Sequence, residues 1–154
     1  QNSFFLCIVG KGDVVQDLKK RAQSPDLIDK VIFIDSLPYH QMMEYTLNSD
    51  VGVSLDKSGN LNYLYSLPNK IFDYFKAGIP VVSSDLIEIN KIINGFNAGV
   101  LIENHQPKSI LNALNHVLDD KNYETYKKFA SKVIDEINWE TESQVLINCY
   151  NNIE

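Results

Sequence analysis

Apolar positions fall into two spacings along this chain, and the spacings alternate. Ser3–Val9, Val31–Ile34, Val81–Val82 and Ala98–Ile102 are short, nearly unbroken apolar runs, and Asp50–Leu55, with Val51, Val53 and Leu55, is a further strand. Runs of that length suit strands of a parallel sheet buried on both faces. Between them, apolar residues recur at helical spacing. One helix runs from an Asp13 cap to about Ala22, and Ser24-Pro25-Asp26 breaks it. Pro38–Asn48 forms a second, with Met42, Met43, Tyr45 and Leu47 apolar. A third begins at Pro68 and buries Ile71, Phe72 and Phe75, with Ser66 or Leu67 as its cap. Gly78 stops it and Pro80 prevents its resumption. Leu86–Asn94, ending near Gly95, carries Ile87, Ile89, Ile92 and Ile93. Pro107–Leu118, Tyr123–Glu136 and Trp139–Asn152 follow, the last with Trp139, Val145, Leu146, Cys149 and Tyr150 able to pack. Strands alternating with helices predict a right-handed α/β parallel sheet flanked by helices.

The length of 154 residues fits a single domain, 1–154, with no internal repeat or linker. Hydrophobic residues make up 44% and charged ones 22%, ordinary for a globular protein. A net charge of −6 offers no general nucleic-acid surface, so no nucleic-acid partner is expected. No run reaches the roughly 20 apolar residues of a membrane span. No signal peptide is visible, and Gln1, not being a natural start, implies a longer parent chain. Cys7 and Cys149 lack metal-ligand spacing and are expected to be buried thiols in a reducing, cytoplasmic setting.

Chemistry concentrates between Tyr63 and Ser84. Asn69 and Lys70 fall in the first turn of the helix after Pro68, where an ammonium opposes the helix dipole. An anion held there would neutralise it, and helix N-terminal amides would share the task. Asp73 follows one turn later, able to accept hydrogen bonds from hydroxyls. Asp56–Asn62 is a polar loop after a strand, the position of ligand rims in open α/β sheets.

The run Ser66-Leu67-Pro68-Asn69-Lys70-Ile71-Phe72-Asp73-Tyr74, followed by Ala77-Gly78-Ile79-Pro80-Val81-Val82, resembles the donor-site signature of family 4 retaining glycosyltransferases of the GT-B fold. It matches the sub-group with Pro-Asn-Lys-x-Phe-Glu-Tyr before Gly-x-Pro-Val-Val. The resemblance extends, weakly, over nearly the whole chain. It implies a Rossmann-like C-terminal lobe that binds an NDP-sugar and transfers its sugar to a saccharide or lipid-linked acceptor, in surface polysaccharide synthesis. Asp73 would accept from the ribose hydroxyls, a charge-assisted contact of roughly 1.5–3 kcal/mol. Aspartate is about 1.5 Å shorter than the family's glutamate there. Lys70 and Asn69 would meet the diphosphate, and Ser66, Leu67 and Pro68 would shape the loop facing the sugar. Gly10 and Gly12 would border the donor cleft, and Leu37 would touch the base. Tyr65 stands where the common form has its first glutamate, which removes the usual sugar 3-hydroxyl contact.

The resemblance also implies no metal and no cofactor, since helix amides and cations serve in place of Mg²⁺. It places acceptor activation in an N-terminal lobe outside this chain. The family's lobe opens with a further strand, carrying an arginine and a lysine that grip the phosphates. Both are missing here, so the chain is expected to be a fragment, able to bind donor but inactive alone. For lipid-linked acceptors, peripheral association with the inner face of the membrane is expected.

Two other classes stay open. Gly10-Lys11-Gly12 with Asp35 at the end of the next strand resembles part of an NAD-type dinucleotide fingerprint, although Val15 replaces its third glycine. A non-catalytic, flavodoxin-like interaction domain would share the same fold. His40, His105 and His116 have no metal spacing and are expected on the surface, with no nucleophile beside them.

Overall fold

The computed structural model describes residues 4–152, which leaves Gln1 and Ser3 outside it. The chain divides into two compact units, Gln1–Tyr45 and Thr46–Glu154.

In the first unit, β1 (Leu6–Val9) and β2 (Val31–Ile34) pair in parallel, from Leu6 opposite Val31 to Val9 opposite Ile34. The Gly10 amide donates to the Ile34 carbonyl at 2.9 Å and adds one rung. Gly10 has φ +140°, a conformation that glycine alone adopts readily. α1 (Val15–Arg21) connects the strands. The expected Asp13 cap is not formed. Val14 holds the cap position with helical angles and no side-chain bond, whereas a capping side chain requires an extended residue there. β1 and β2 are also less buried than the apolar runs predict: Leu6 and Ile32 are about half exposed. Among the described residues these strands form a two-stranded ladder, which cannot cover both its faces. α2 (Tyr39–Leu47) carries the chain across the division between the units. It buries Met43 and Thr46, while Tyr45 and Leu47, expected on its apolar face, are exposed.

The second unit is built on β3 (Gly52–Ser54), β4 (Val81–Ser84) and β5 (Gly99–Ile102), parallel and in that order. All four residues of β4 are buried, as a central parallel strand requires. Strand side chains alternate between faces, so Val81 and Val82 enter different cores. Val81 packs with Ile71, Phe75, Ile89, Ile93 and Val133. Val82 packs with Ile102, Ala113 and Val117. These clusters take their helical members from α4 (Asn69–Lys76), α5 (Ile87–Phe96), α6 (Pro107–Val117) and α7 (Asp120–Glu136).

Several boundaries move. Leu61–Leu64, expected in a loop region, is a short helix, α3, because the Asn60 side chain accepts from the Tyr63 amide at 3.0 Å. α5 continues through Gly95 and stops at Asn97, whose φ of +53° turns the chain left-handed. α8 (Trp139–Asn151) buries none of its described residues, so the burial expected of Trp139, Val145, Leu146, Cys149 and Tyr150 does not occur among the described residues. Among the described residues no helix is long and apolar enough to cross a membrane.

Candidate functional site

In the second unit an open cleft of about 450 Å³ lies where β3 ends and α4 begins. Asp56, Asn62, Tyr63, Ser66, Leu67, Pro68 and Lys70 line it. Its walls come from two features of the local sequence. Asn60 caps α3, and the Ser66 hydroxyl donates to the Tyr63 carbonyl at 2.9 Å, holding the chain between α3 and α4. Pro68 then turns it. Pro68 takes φ −66° and ψ 136°, so it is the cap residue of α4, and Asn69 is the first helical one. This corrects the expected cap at Ser66 or Leu67 and the placing of Pro68 inside the helix. A proline followed by an extended ψ cannot belong to the first turn, and it has no side-chain group with which to cap.

Lys70 projects from that first turn, and its ammonium lies 3.0 Å from Asp56 Oδ2. The Ser54 hydroxyl donates to the same oxygen at 3.1 Å. Ser54 is fully buried at the end of β3, and its carbonyl accepts from the Ser83 hydroxyl at 2.8 Å. A hydrogen-bonded chain thus runs from the sheet to the cleft wall. The anion that the helix-start lysine demands is supplied, within this chain, by Asp56. Asp56, Asn62 and Tyr63 were not singled out as site residues on sequence. The signal that could have found Asp56 was the lysine at a helix start with no acidic neighbour on its own helix's first turn.

The remaining candidates divide as follows. Ser66, Leu67, Pro68 and Lys70 share the cleft lining. Asn69 is exposed and Asp73 half-buried, and neither lines the cleft. Gly10, Gly12 and Leu37 belong to the first unit, with Leu37 half-buried between β2 and α2. There too, Asp35 is exposed, with its carboxylate 3.7 Å from the Lys19 ammonium.

Tyr74, next to Asp73, donates its hydroxyl to the Val53 carbonyl at 3.2 Å. Burial raises its phenol above the usual range, and the Asp73 and Asp56 charges push the same way. Tyr123 is raised as well, by burial first and then by Asp50 and Glu124.

Two expectations about reactive side chains are corrected. His105 does have a hydroxyl beside it: its Nε2 lies 3.0 Å from Ser84 Oγ, at the end of the buried strand β4. The sequence hides this because the two residues leave different strands. Cys7 and Cys149 are exposed rather than buried, and partial desolvation raises the Cys7 thiol. Among the described residues no three His, Cys, Asp or Glu side chains gather in a metal-binding group.

The fold and cleft can be set beside known proteins. No curated protein matches the chain. Among solved structures, sucrose-phosphate synthase from Thermosynechococcus elongatus superposes with a TM-score of 0.77 at 18% identity. That likeness covers 96% of this chain and 38% of the synthase, so the chain spans well under half of that protein's length. It establishes the architecture, that of the C-terminal lobe of GT-B glycosyltransferases. The family model for glycosyl transferases group 1 matches residues 1–135, most of the sequence. The chain therefore belongs to the group 1 glycosyl transferases.

Proposed function

We propose that this chain is the donor-binding lobe of a retaining glycosyltransferase that uses an NDP-sugar and acts in surface polysaccharide synthesis at the cytoplasmic side of the membrane. The observation that carries the proposal is Lys70: an ammonium on the first turn of α4, in a cleft at the carboxyl end of a parallel strand. The departing group in such a transfer is a nucleoside diphosphate. Negative charge grows on its phosphates as the bond to the sugar breaks. An ammonium within reach of that place, once bound to the phosphates, stabilises the growing charge. The N-terminal amides of α4 act in the same sense.

In this reading Lys70 and Asn69 meet the diphosphate, Asp73 holds the ribose, and Ser66, Leu67 and Pro68 face the sugar. Gly10, Gly12 and Leu37 keep the donor-contact roles that the family resemblance gives them. These residues bind and orient; no proton-transfer residue is assigned to this lobe. The reaction is metal-independent, with charge neutralisation left to side chains and amides, and the acceptor is handled by an N-terminal lobe.

The test is steady-state kinetics of the full-length enzyme. Lys70→Ala and Asp73→Asn should each lower kcat/KM for the donor by about 10- to 100-fold, the range for losing one charge-assisted contact. Unchanged donor KM and kcat in both variants would overturn the assignment. Titration with NAD(H) is the control, and heat released there but not with UDP or GDP would favour a dinucleotide enzyme.

A further inference from the structure

We propose that Asp56 is an internal counter-ion that occupies Lys70 until a ligand of two or more negative charges displaces it, and so sets a charge threshold for the cleft. The proposal rests on the cleft being a diphosphate site. Four observations lead to it.

Asp56 is the fixed partner. One oxygen, Oδ2, accepts from the Ser54 hydroxyl at 3.1 Å and faces the Lys70 ammonium at 3.0 Å. Ser54 is itself buried and tied to β4 through Ser83. Lys70, in contrast, ends a flexible four-carbon stem. The ammonium is therefore the member that moves. Both side chains are partly exposed, 42% for Lys70 and 30% for Asp56, so solvent and solutes reach the pair. Ion pairs at that exposure are weakly held. Both residues line the same cleft, so whatever binds Lys70 also lies near the Asp56 carboxylate.

The consequence is competition. A singly charged anion gains from Lys70 about what Asp56 already gives, and is repelled by the carboxylate. A diphosphate brings several charges and more acceptor oxygens, and draws the ammonium away. Asp56 then opposes the bound anion. The arrangement also spares Lys70 an unneutralised position at the helix start while the cleft is empty.

The experiment is titration calorimetry on the full-length protein with inorganic pyrophosphate, UDP and the singly charged nitrate, for wild type, Asp56→Asn and Lys70→Ala. Asparagine keeps an acceptor for Ser54 and removes the charge. Asp56→Asn should bind pyrophosphate and UDP about 3- to 5-fold more tightly, and nitrate should gain proportionally more. Lys70→Ala should weaken all three. If wild type binds pyrophosphate or UDP and Asp56→Asn binds it equally or less tightly, Asp56 merely positions Lys70, and the threshold is refuted while the diphosphate site stands. If neither form binds pyrophosphate or UDP, the diphosphate reading falls and the threshold with it. A measurement that needs no variant is the carboxylate carbon resonance of Asp56 in the wild type. Pyrophosphate should shift it as the ammonium leaves, and an unmoved resonance under saturating pyrophosphate would also overturn the proposal.

Discussion

Gly52 and Tyr74 are joined by a contact that neither residue announces alone. The Tyr74 ring lies across the Gly52 backbone so closely that a Cβ there would run into the ring. Behind it, the hydroxyl donates to the Val53 carbonyl. Ring and strand backbone are both rigid, so neither yields cheaply. Gly52→Ala should destabilise the protein by about 3 kcal/mol, measured by urea unfolding. Tyr74→Phe should cost about 1 kcal/mol at neutral pH, for one lost hydrogen bond. It should also alter the alkaline limb of stability. The folded state raises the Tyr74 phenol through burial, so the folded protein keeps a proton that the unfolded chain releases near pH 10. That contribution is complete below about pH 10 and is lost as pH climbs from there through the raised folded value. Unfolding between pH 7 and 11 should show a flatter decline for Tyr74→Phe than for wild type, with Tyr123 sustaining the remainder. A flexible lysine and a polar loop residue can be read from the sequence at Lys70 and Asp56, but their pairing cannot, because thirteen residues and an unforeseen helix separate them.

At the scale of elements, α4 was the most legible, since Ile71 and Phe75 at helical spacing are both fully buried and Gly78 follows with φ +68°. Its start lies one residue beyond the predicted one because proline suits both the cap and the first turn, and only ψ distinguishes them. α5 ends later than its glycine predicts. Gly95 looks like the stop, yet Asn97 makes the left-handed turn, and the Ala98 amide then donates to the Ile93 carbonyl at 3.1 Å. Asparagine tolerates that conformation better than other non-glycine residues. Asn97→Ala should therefore cost about 1 kcal/mol, while Asn97→Gly should be neutral or slightly stabilising, both read as shifts in the urea midpoint. If alanine is tolerated without a shift, the left-handed cap is not what ends the helix. α3 leaves no signal in the sequence because four residues carry too little periodicity, and its existence depends on one Asn60 side chain.

Across the whole molecule, the alternation of buried strand and amphipathic helix was enough to give a parallel α/β architecture and the family's central motif. Those features depend on spacing along the chain, which local sequence records directly. The β4 run, apolar at Val81 and Val82 and flanked by Pro80, carried its burial on its face. Burial of β1, β2 and α8 could not be read in the same way. An apolar run states a capacity to be covered, and whether cover arrives depends on neighbours in space. The cleft followed the same rule. Its residues lie within Asp56–Lys70, so their chemistry was available to inspection, but a wall forms only when α3 and α4 fold back beside the end of β3. What the sequence by itself determined was the order and type of the main elements and the chemical character of the donor motif, because both depend on near neighbours. Only the tertiary structure decided which charges meet, which hydroxyls are spent on the backbone, and which apolar faces go uncovered, because those depend on distances that separation along the chain does not set.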